Sequence, residues 1–244
     1  MQKYEREADD WDLEEYRYRR RKRRRREQVI RYTFMAGITI LLGLFLFLTL
    51  RIPGSWVLRT FRDTKEETLL VPAPDYDVQL LTPNDYSRSQ IATETITGIV
   101  IHYTANPGTT AQNNRDYFEG LKDSHLTKAS SHFIVGLEGE IIQCIPTIER
   151  AYASNERNID TVSIETCYMN DDGSYEKATY DTLVHLTAWL MGKFNLKIDD
   201  VIRHYDVTGK NCPKYFVENE DAWEQFREDV MWYIEVNGEE PPGE

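Results

Sequence analysis

TGIVIHYT, residues 97–104, is the stretch on which the fold turns. Ile99, Val100 and Ile101 follow one another without a polar break, the pattern of a short strand buried on both faces rather than of a half-exposed one. His102 then stands where another Val or Ile would pack better. A histidine in that place is either a hydrogen-bonded core residue or a ligand.

Working outward, the elements alternate. Thr109 or Thr110 can cap a helix that carries Ala111, Asn114, Phe118 and Leu121 on one face. SSHFIVG (130–136) and EIIQCIP (140–146) flank a glycine turn and predict a β-hairpin. TVSIETCYM (161–169) predicts another strand, closed by a turn over residues 170–173. Leu183, Leu186, Leu190 and Phe194 fall at helical spacing over residues 179–194. Trp223, Phe226, Val230 and Ile234 repeat that pattern in a helix starting near Glu220. Both stripes are core-packing faces. The expected fold class is α/β, a mixed central sheet flanked by helices.

The chain has 244 residues and a formal net charge of −12, with charge divided unevenly. Residues 1–31 hold 12 Lys and Arg against 8 Asp and Glu, whereas the remainder holds 17 against 33. Residues 32–50, YTFMAGITILLGLFLFLTL, carry no charge and match the roughly 20 apolar residues that cross a bilayer as a helix. The basic run RYRRRKRRRREQVIR (17–31) directly precedes them. Its position predicts a cytoplasmic N-terminus and an exported C-terminal part. The start is too long for a cleaved leader, and RIPGSWVLR after the span offers no small-residue cleavage site. An uncleaved signal-anchor in the lipid bilayer is therefore expected. A basic arm for nucleic acid is the competing explanation, and the adjoining apolar span makes it unnecessary; no nucleic-acid partner is expected. The organisation that follows is a basic cytoplasmic tail (1–31), a transmembrane helix (32–50), an extracytoplasmic linker rich in Pro and charge (51–78), a globular domain (79–236) and an acidic tail (237–244).

Three cysteines, Cys144, Cys167 and Cys212, do not form the even, closely spaced set of a disulfide framework. Three separate thiols, one of them a metal ligand, is the expected state. RHYDVTGKNCP (203–213) places His204 and Cys212 close together in a loop punctuated by Gly209 and Pro213. With His102 they supply three donors, the number a catalytic metal site uses when it keeps one position open. His125 and His185 sit in a polar loop and within a helix, where solvation or packing explains them, and His132 is ambiguous. Glu165 lies inside a strand, where a buried carboxylate is costly without a partner; it is either a solvent-face residue or a general base. Lys210, two residues before Cys212, points the same way as the thiol if the loop is extended. It is either a surface lysine or a stabiliser of developing negative charge.

GIVIHYTANPG (98–108), ASSHFIVGLEGEIIQCIP (129–146), VSIETCY (162–168) and RHYDVTGKNCP (203–213), in that order, resemble the N-acetylmuramoyl-L-alanine amidases of type 2. That family shares its fold with T7 lysozyme and the peptidoglycan recognition proteins. The resemblance implies His102, His204 and Cys212 as ligands of Zn2+, Glu165 as the catalytic glutamate and Lys210 as its lysine partner. It places His132 near the substrate cleft. Many members carry Asp where Cys212 stands, so this chain resembles the thiolate subgroup. The implied activity is hydrolysis of the amide between N-acetylmuramic acid and L-alanine, with peptidoglycan or muropeptides as substrate, outside a bacterial cell membrane. The alternative is a non-catalytic wall-sensing receptor that uses the same cleft.

Overall fold

The computed structural model describes residues 69–239. Six strands form one sheet: β1 (Asp77–Val78), β2 (Gly98–Tyr103), β3 (Phe133–Val135), β4 (Ile141–Gln143), β5 (Thr161–Thr166) and β6 (Val201–Arg203), in the order β1-β4-β3-β5-β2-β6. The helices are α1 (Ala111–Ser124), α2 (Lys177–Phe194), α3 (His204–Thr208), α4 (Lys214–Glu218) and α5 (Glu220–Asn237). β3 and β4 pair antiparallel as the expected hairpin, and every other pairing is parallel. Parallel neighbours need long crossovers. α1 lies in the crossover from β2 to β3, and α2 in the one from β5 to β6.

Alternation along each strand sorts side chains to two cores. Ile99 and Ile101 of β2, Phe133 and Val135 of β3, and Val162 and Ile164 of β5 face α2 and α5, where Leu183, Leu186, Leu190, Trp223, Phe226 and Val230 are buried. Ile134 and Ile142 face the other way, onto Ala111, Phe118 and Leu121 of α1. His102 and Glu165 have the parity of this second face, and they are register partners across β2 and β5.

Several local expectations meet the coordinates residue by residue. Thr110 caps α1: its hydroxyl accepts from the Asn113 N–H at 3.1 Å, and the Asn113 side chain answers the Thr110 N–H at 3.2 Å. Asn114, the one polar residue on the inward face of α1, is buried; its amide donates to Thr109 Oγ1 and to the Thr110 carbonyl, both at 2.9 Å. The turn at residues 170–173 closes with Gly173 N–H on the Asn170 carbonyl at 2.8 Å, and Gly173 takes a φ of 82°.

Two edge strands carry no legible pattern. β1 has two residues and β6 three. β6 ends in Arg203, which is buried only because Asp206 (2.9 Å), Glu220 (2.7 Å) and the Phe216 carbonyl (3.0 Å) surround its guanidinium. The end of the expected linker also behaves differently. Val71 is buried in the α2/α5 core, Tyr76 packs edge-on to Phe133, and Leu70 and Glu239 exchange two backbone hydrogen bonds of 2.9 Å. Apolar side chains spaced too irregularly for an element still found a core to enter. The basic tail (1–31), the transmembrane helix (32–50), the linker through residue 68 and the tail from 240 lie outside the described residues. Among the described residues no helix is long and apolar enough to cross a membrane.

Candidate metal centre

His102 is the fifth residue of β2, near its C-terminal end, and β6 runs parallel beside it, pairing Arg203 with Ile101. The next residue, His204, opens α3 at that same end of the sheet. α3 lasts five residues before Gly209, at φ 75°, ends it. The chain then folds back: Tyr205 N–H donates to the Cys212 carbonyl at 2.8 Å. This return brings Cys212 to the histidines. The donor atoms of His102, His204 and Cys212 all lie within 4.8 Å of one another, and all three residues are buried. Cys212 Sγ is 3.8 Å from His102 Nδ1, and the two imidazole centroids are 4.6 Å apart. Donors bound to one tetrahedral ion at about 2.0–2.3 Å sit roughly 3.3–3.8 Å from each other, so small side-chain adjustments suffice to close this set on a metal.

The hydrogen bonds show which atoms are free for that task. His102 Nε2 lies 3.1 Å from Ser154 Oγ, and His204 Nε2 lies 3.1 Å from Asn155 Oδ1. His204 Nδ1 is buried and has no partner. An orphaned buried acceptor costs about 1–3 kcal/mol. Here the orphan stands beside a thiol and a second imidazole, where a cation would satisfy it. The donor set therefore fits a metal ion.

Electrostatics point the same way. His102 is held well below the ordinary histidine range by burial first, then by His204, Lys210 and His132. Burial and then Lys210 also lower His204. Both rings are thus kept neutral, the form that ligates. Cys212 is pushed up to about 12 by burial and Glu165, against the pull of Lys210. Without a cation its thiol keeps its proton; a bound cation removes it.

Glu165 neighbours His102 across the β2/β5 pair. One of its carboxyl oxygens is buried with no partner. Burial raises its pKa to about 8, with Lys210 pulling the other way. Lys210 is exposed at the rim and acts electrostatically on His102, His204, Glu165 and Cys212 alike. The loop that carries it is not extended. Cys212 N–H donates to the Lys210 carbonyl at 2.7 Å, closing a three-residue turn.

His132 is placed differently. It is buried, and both ring nitrogens are engaged within the fold: Nδ1 accepts from the Ser163 N–H at 3.0 Å, and Nε2 donates to the Glu149 carbonyl at 2.9 Å. Burial holds its pKa down to about 4. Expected beside a substrate cleft, it has neither nitrogen left to meet a substrate. His125 stacks on Tyr86 at 4.3 Å, and His185 Nε2 lies 2.9 Å from the Pro72 carbonyl. All three cysteines are free thiols. Sequence reasoning passed over Ser154 and Asn155, because a polar run such as SNERN (154–158) reads as an ordinary loop. It also passed over Tyr175, whose buried hydroxyl neighbours Thr166 and lies within electrostatic reach of Cys212 and Glu165.

The mixed α/β sheet thus gathers two imidazoles, a thiol and a glutamate at the C-terminal end of its parallel strands, a group that could hold a metal ion. The chain belongs to the N-acetylmuramoyl-L-alanine amidase family, whose model matches residues 92–215. It is 34% identical over 160 residues to the N-acetylmuramoyl-L-alanine amidase CwlL of Bacillus licheniformis, covering 60% of this chain and 44% of that one. With BlyA of Bacillus subtilis (strain 168) it shares 33% over 168 residues, with the same coverage. The chain thus spans less than half the length of these relatives. Among solved structures, the catalytic domain of PlyG superposes with a TM-score of 0.54 at 26% identity, over 65% of this chain and 94% of that domain. The catalytic domain of XlyA gives 0.53 at 25%, over 63% and 99%.

Proposed function

We propose that this chain is a zinc-dependent N-acetylmuramoyl-L-alanine amidase that hydrolyses the amide between N-acetylmuramic acid and L-alanine in peptidoglycan or muropeptides. The observation that carries this reading is the convergence of His102, His204 and Cys212 donors within 4.8 Å of one another, with Nδ1 of His204 buried and unpartnered. Two nitrogens and a sulfur are a donor set that zinc takes readily, and three protein ligands leave a position for solvent or substrate.

His102, His204 and Cys212 would hold the ion. Zinc bound there supplies Lewis acidity, which makes water a nucleophile at neutral pH and polarises a carbonyl. Glu165 takes the proton of the attacking water, and its raised pKa suits it to hold that proton until the tetrahedral intermediate collapses. It then delivers the proton to the departing amine of L-alanine. The Lys210 ammonium, within electrostatic reach of the cluster, offsets negative charge building on the carbonyl oxygen.

We further propose that residues 32–50 anchor the chain in a bacterial cell membrane with residues 1–31 in the cytoplasm and the amidase domain outside. The uncharged span and the basic run before it support this. An acidic exported domain would gain little from charge in approaching an anionic wall, and tethering would raise its effective concentration instead. Protease added to intact spheroplasts should remove the domain and spare a short N-terminal fragment; full protection would reverse the orientation.

The activity is tested with the full-length protein and purified peptidoglycan, with and without chelator, the products being read by mass spectrometry. Release of peptides beginning at L-alanine, lost on chelation and restored by zinc, is the expected result. Zinc binding with no release would instead support a wall-sensing receptor.

A further inference from the structure

The two imidazoles of the cluster come from different elements, yet their outward nitrogens meet consecutive residues of one loop. Ser154 Oγ lies 3.1 Å from His102 Nε2, and Asn155 Oδ1 lies 3.1 Å from His204 Nε2. Ser154 is buried, and the loop is fastened from within: Asn158 Oδ1 accepts from both the Ala153 and Ser154 N–H groups, at 3.0 and 2.6 Å. Asn155 takes a φ of 53°, a left-handed conformation that asparagine tolerates and most residues do not. This kink lets two adjacent side chains reach two different rings.

A neutral imidazole carries one proton on two nitrogens, and the partner of one nitrogen decides what the other offers. Cys212 Sγ, 3.8 Å from His102 Nδ1, is a weak acceptor for a ring N–H, whereas Ser154 Oγ, 3.1 Å from Nε2, is a good one. The proton of His102 is then on Nε2, directed at Ser154 Oγ. For His204, a proton on Nδ1 would be buried with no acceptor, whereas a proton on Nε2 meets the Asn155 carbonyl oxygen.

We propose that Ser154 and Asn155 are positioning residues that hold both histidines in the Nε2–H tautomer, so that two Nδ1 lone pairs are presented to the metal before it arrives. This deepens the zinc-amidase reading and rests on it. Both residues contact the outward nitrogens of the rings. They act through the imidazoles, as outer partners of metal-bound histidines do when they set ring orientation and basicity.

The test uses the full-length protein with its five histidines 15N-labelled, alongside Ser154→Ala, Asn155→Gly and Asn155→Asp. Glycine removes the amide without straining a positive φ, and aspartate restores an acceptor. In the metal-free parent, long-range proton–nitrogen correlations should show Nε2–H at His102 and His204. Ser154→Ala and Asn155→Gly should each mix the tautomers of the ring they face, and weaken zinc binding about 10- to 100-fold in chelator competition. Asn155→Asp should recover most of that loss. An Nδ1–H tautomer in the parent overturns the proposal, as do Ser154→Ala and Asn155→Gly variants that fold, keep pure Nε2–H and bind zinc like the parent. If either variant unfolds, the parent's tautomers and the affinity of Asn155→Asp decide. A parent that binds no zinc at all refutes the metal reading itself, a distinct outcome.

Discussion

Two buried histidine environments lie on the same face of the sheet and differ in one respect. Around His132 both ring nitrogens have a partner, with Ser163 on one side and the Glu149 carbonyl on the other. Around His102 and His204 the outward nitrogens are engaged, while inward-facing groups are left open: His204 Nδ1 and one Glu165 oxygen are buried without partners. All three histidines are buried, and burial depresses the pKa of each. Burial and a shifted pKa therefore do not separate a structural histidine from a ligand. Unspent hydrogen-bonding capacity does, because a fold that leaves a buried polar atom unpaired bears its desolvation cost until something binds there.

Substitutions at the two environments should sharpen the contrast or break it. The largest effect belongs to Cys212→Ala. Loss of a donor should remove stoichiometric zinc and lower activity about a thousandfold or more, since the Lewis acid contributes several kcal/mol. Full metal content by atomic absorption in that variant would take the thiol out of the donor set. Next comes Glu165→Ala, which should keep its zinc and lose about 10²- to 10⁴-fold in turnover; a variant that keeps full turnover removes Glu165 from the mechanism.

Lys210→Met should cost about tenfold to a hundredfold, less than a fully enclosed donor would. It carries a second signature in pH. Burial raises Glu165 and Lys210 pulls it down, so removing the ammonium lets the carboxyl rise further. The limb of the pH–rate profile on which Glu165 loses its proton should move to higher pH. A limb that stays in place or moves down contradicts the assignment of either residue. The smallest effect on catalysis belongs to His132→Ala, with zinc content unchanged and activity within about threefold of the parent. The cost there is stability. A cavity and two newly unpaired backbone groups, the Ser163 N–H and the Glu149 carbonyl, should lower unfolding free energy by about 2–4 kcal/mol in urea melts. A large loss of turnover without loss of stability would return His132 to the cleft.

Much of this architecture was legible before any coordinates. Residues 97–104 and 161–169 read as strands because apolar and β-branched side chains run through them, and Thr109 or Thr110 read as a cap because a hydroxyl there answers an orphan amide; the strands cover 98–103 and 161–166, and the cap is Thr110. The hairpin and the two long helices were equally plain, since period and turn chemistry are local. Polar groups interrupting those periods marked His102 and Glu165, and the spacing in RHYDVTGKNCP marked His204 and Cys212. β1 and β6 were not legible, being two and three residues long and defined only by the strands beside them. Nor was Val71, whose place in the core depends on a pocket made by residues far along the chain.

By itself, then, the sequence determined the longer strands and helices, the faces they bury, and the chemically capable side chains that interrupt or follow them. Only the tertiary structure decided how those side chains are used. It spent both nitrogens of His132 and left one nitrogen of His204 open, and it brought Ser154 and Asn155 behind rings 52 and 49 residues away. Periodicity along a chain reports the face on which a side chain lies, whereas a hydrogen bond is made or left unmade by atoms that the folded backbone brings together from distant positions.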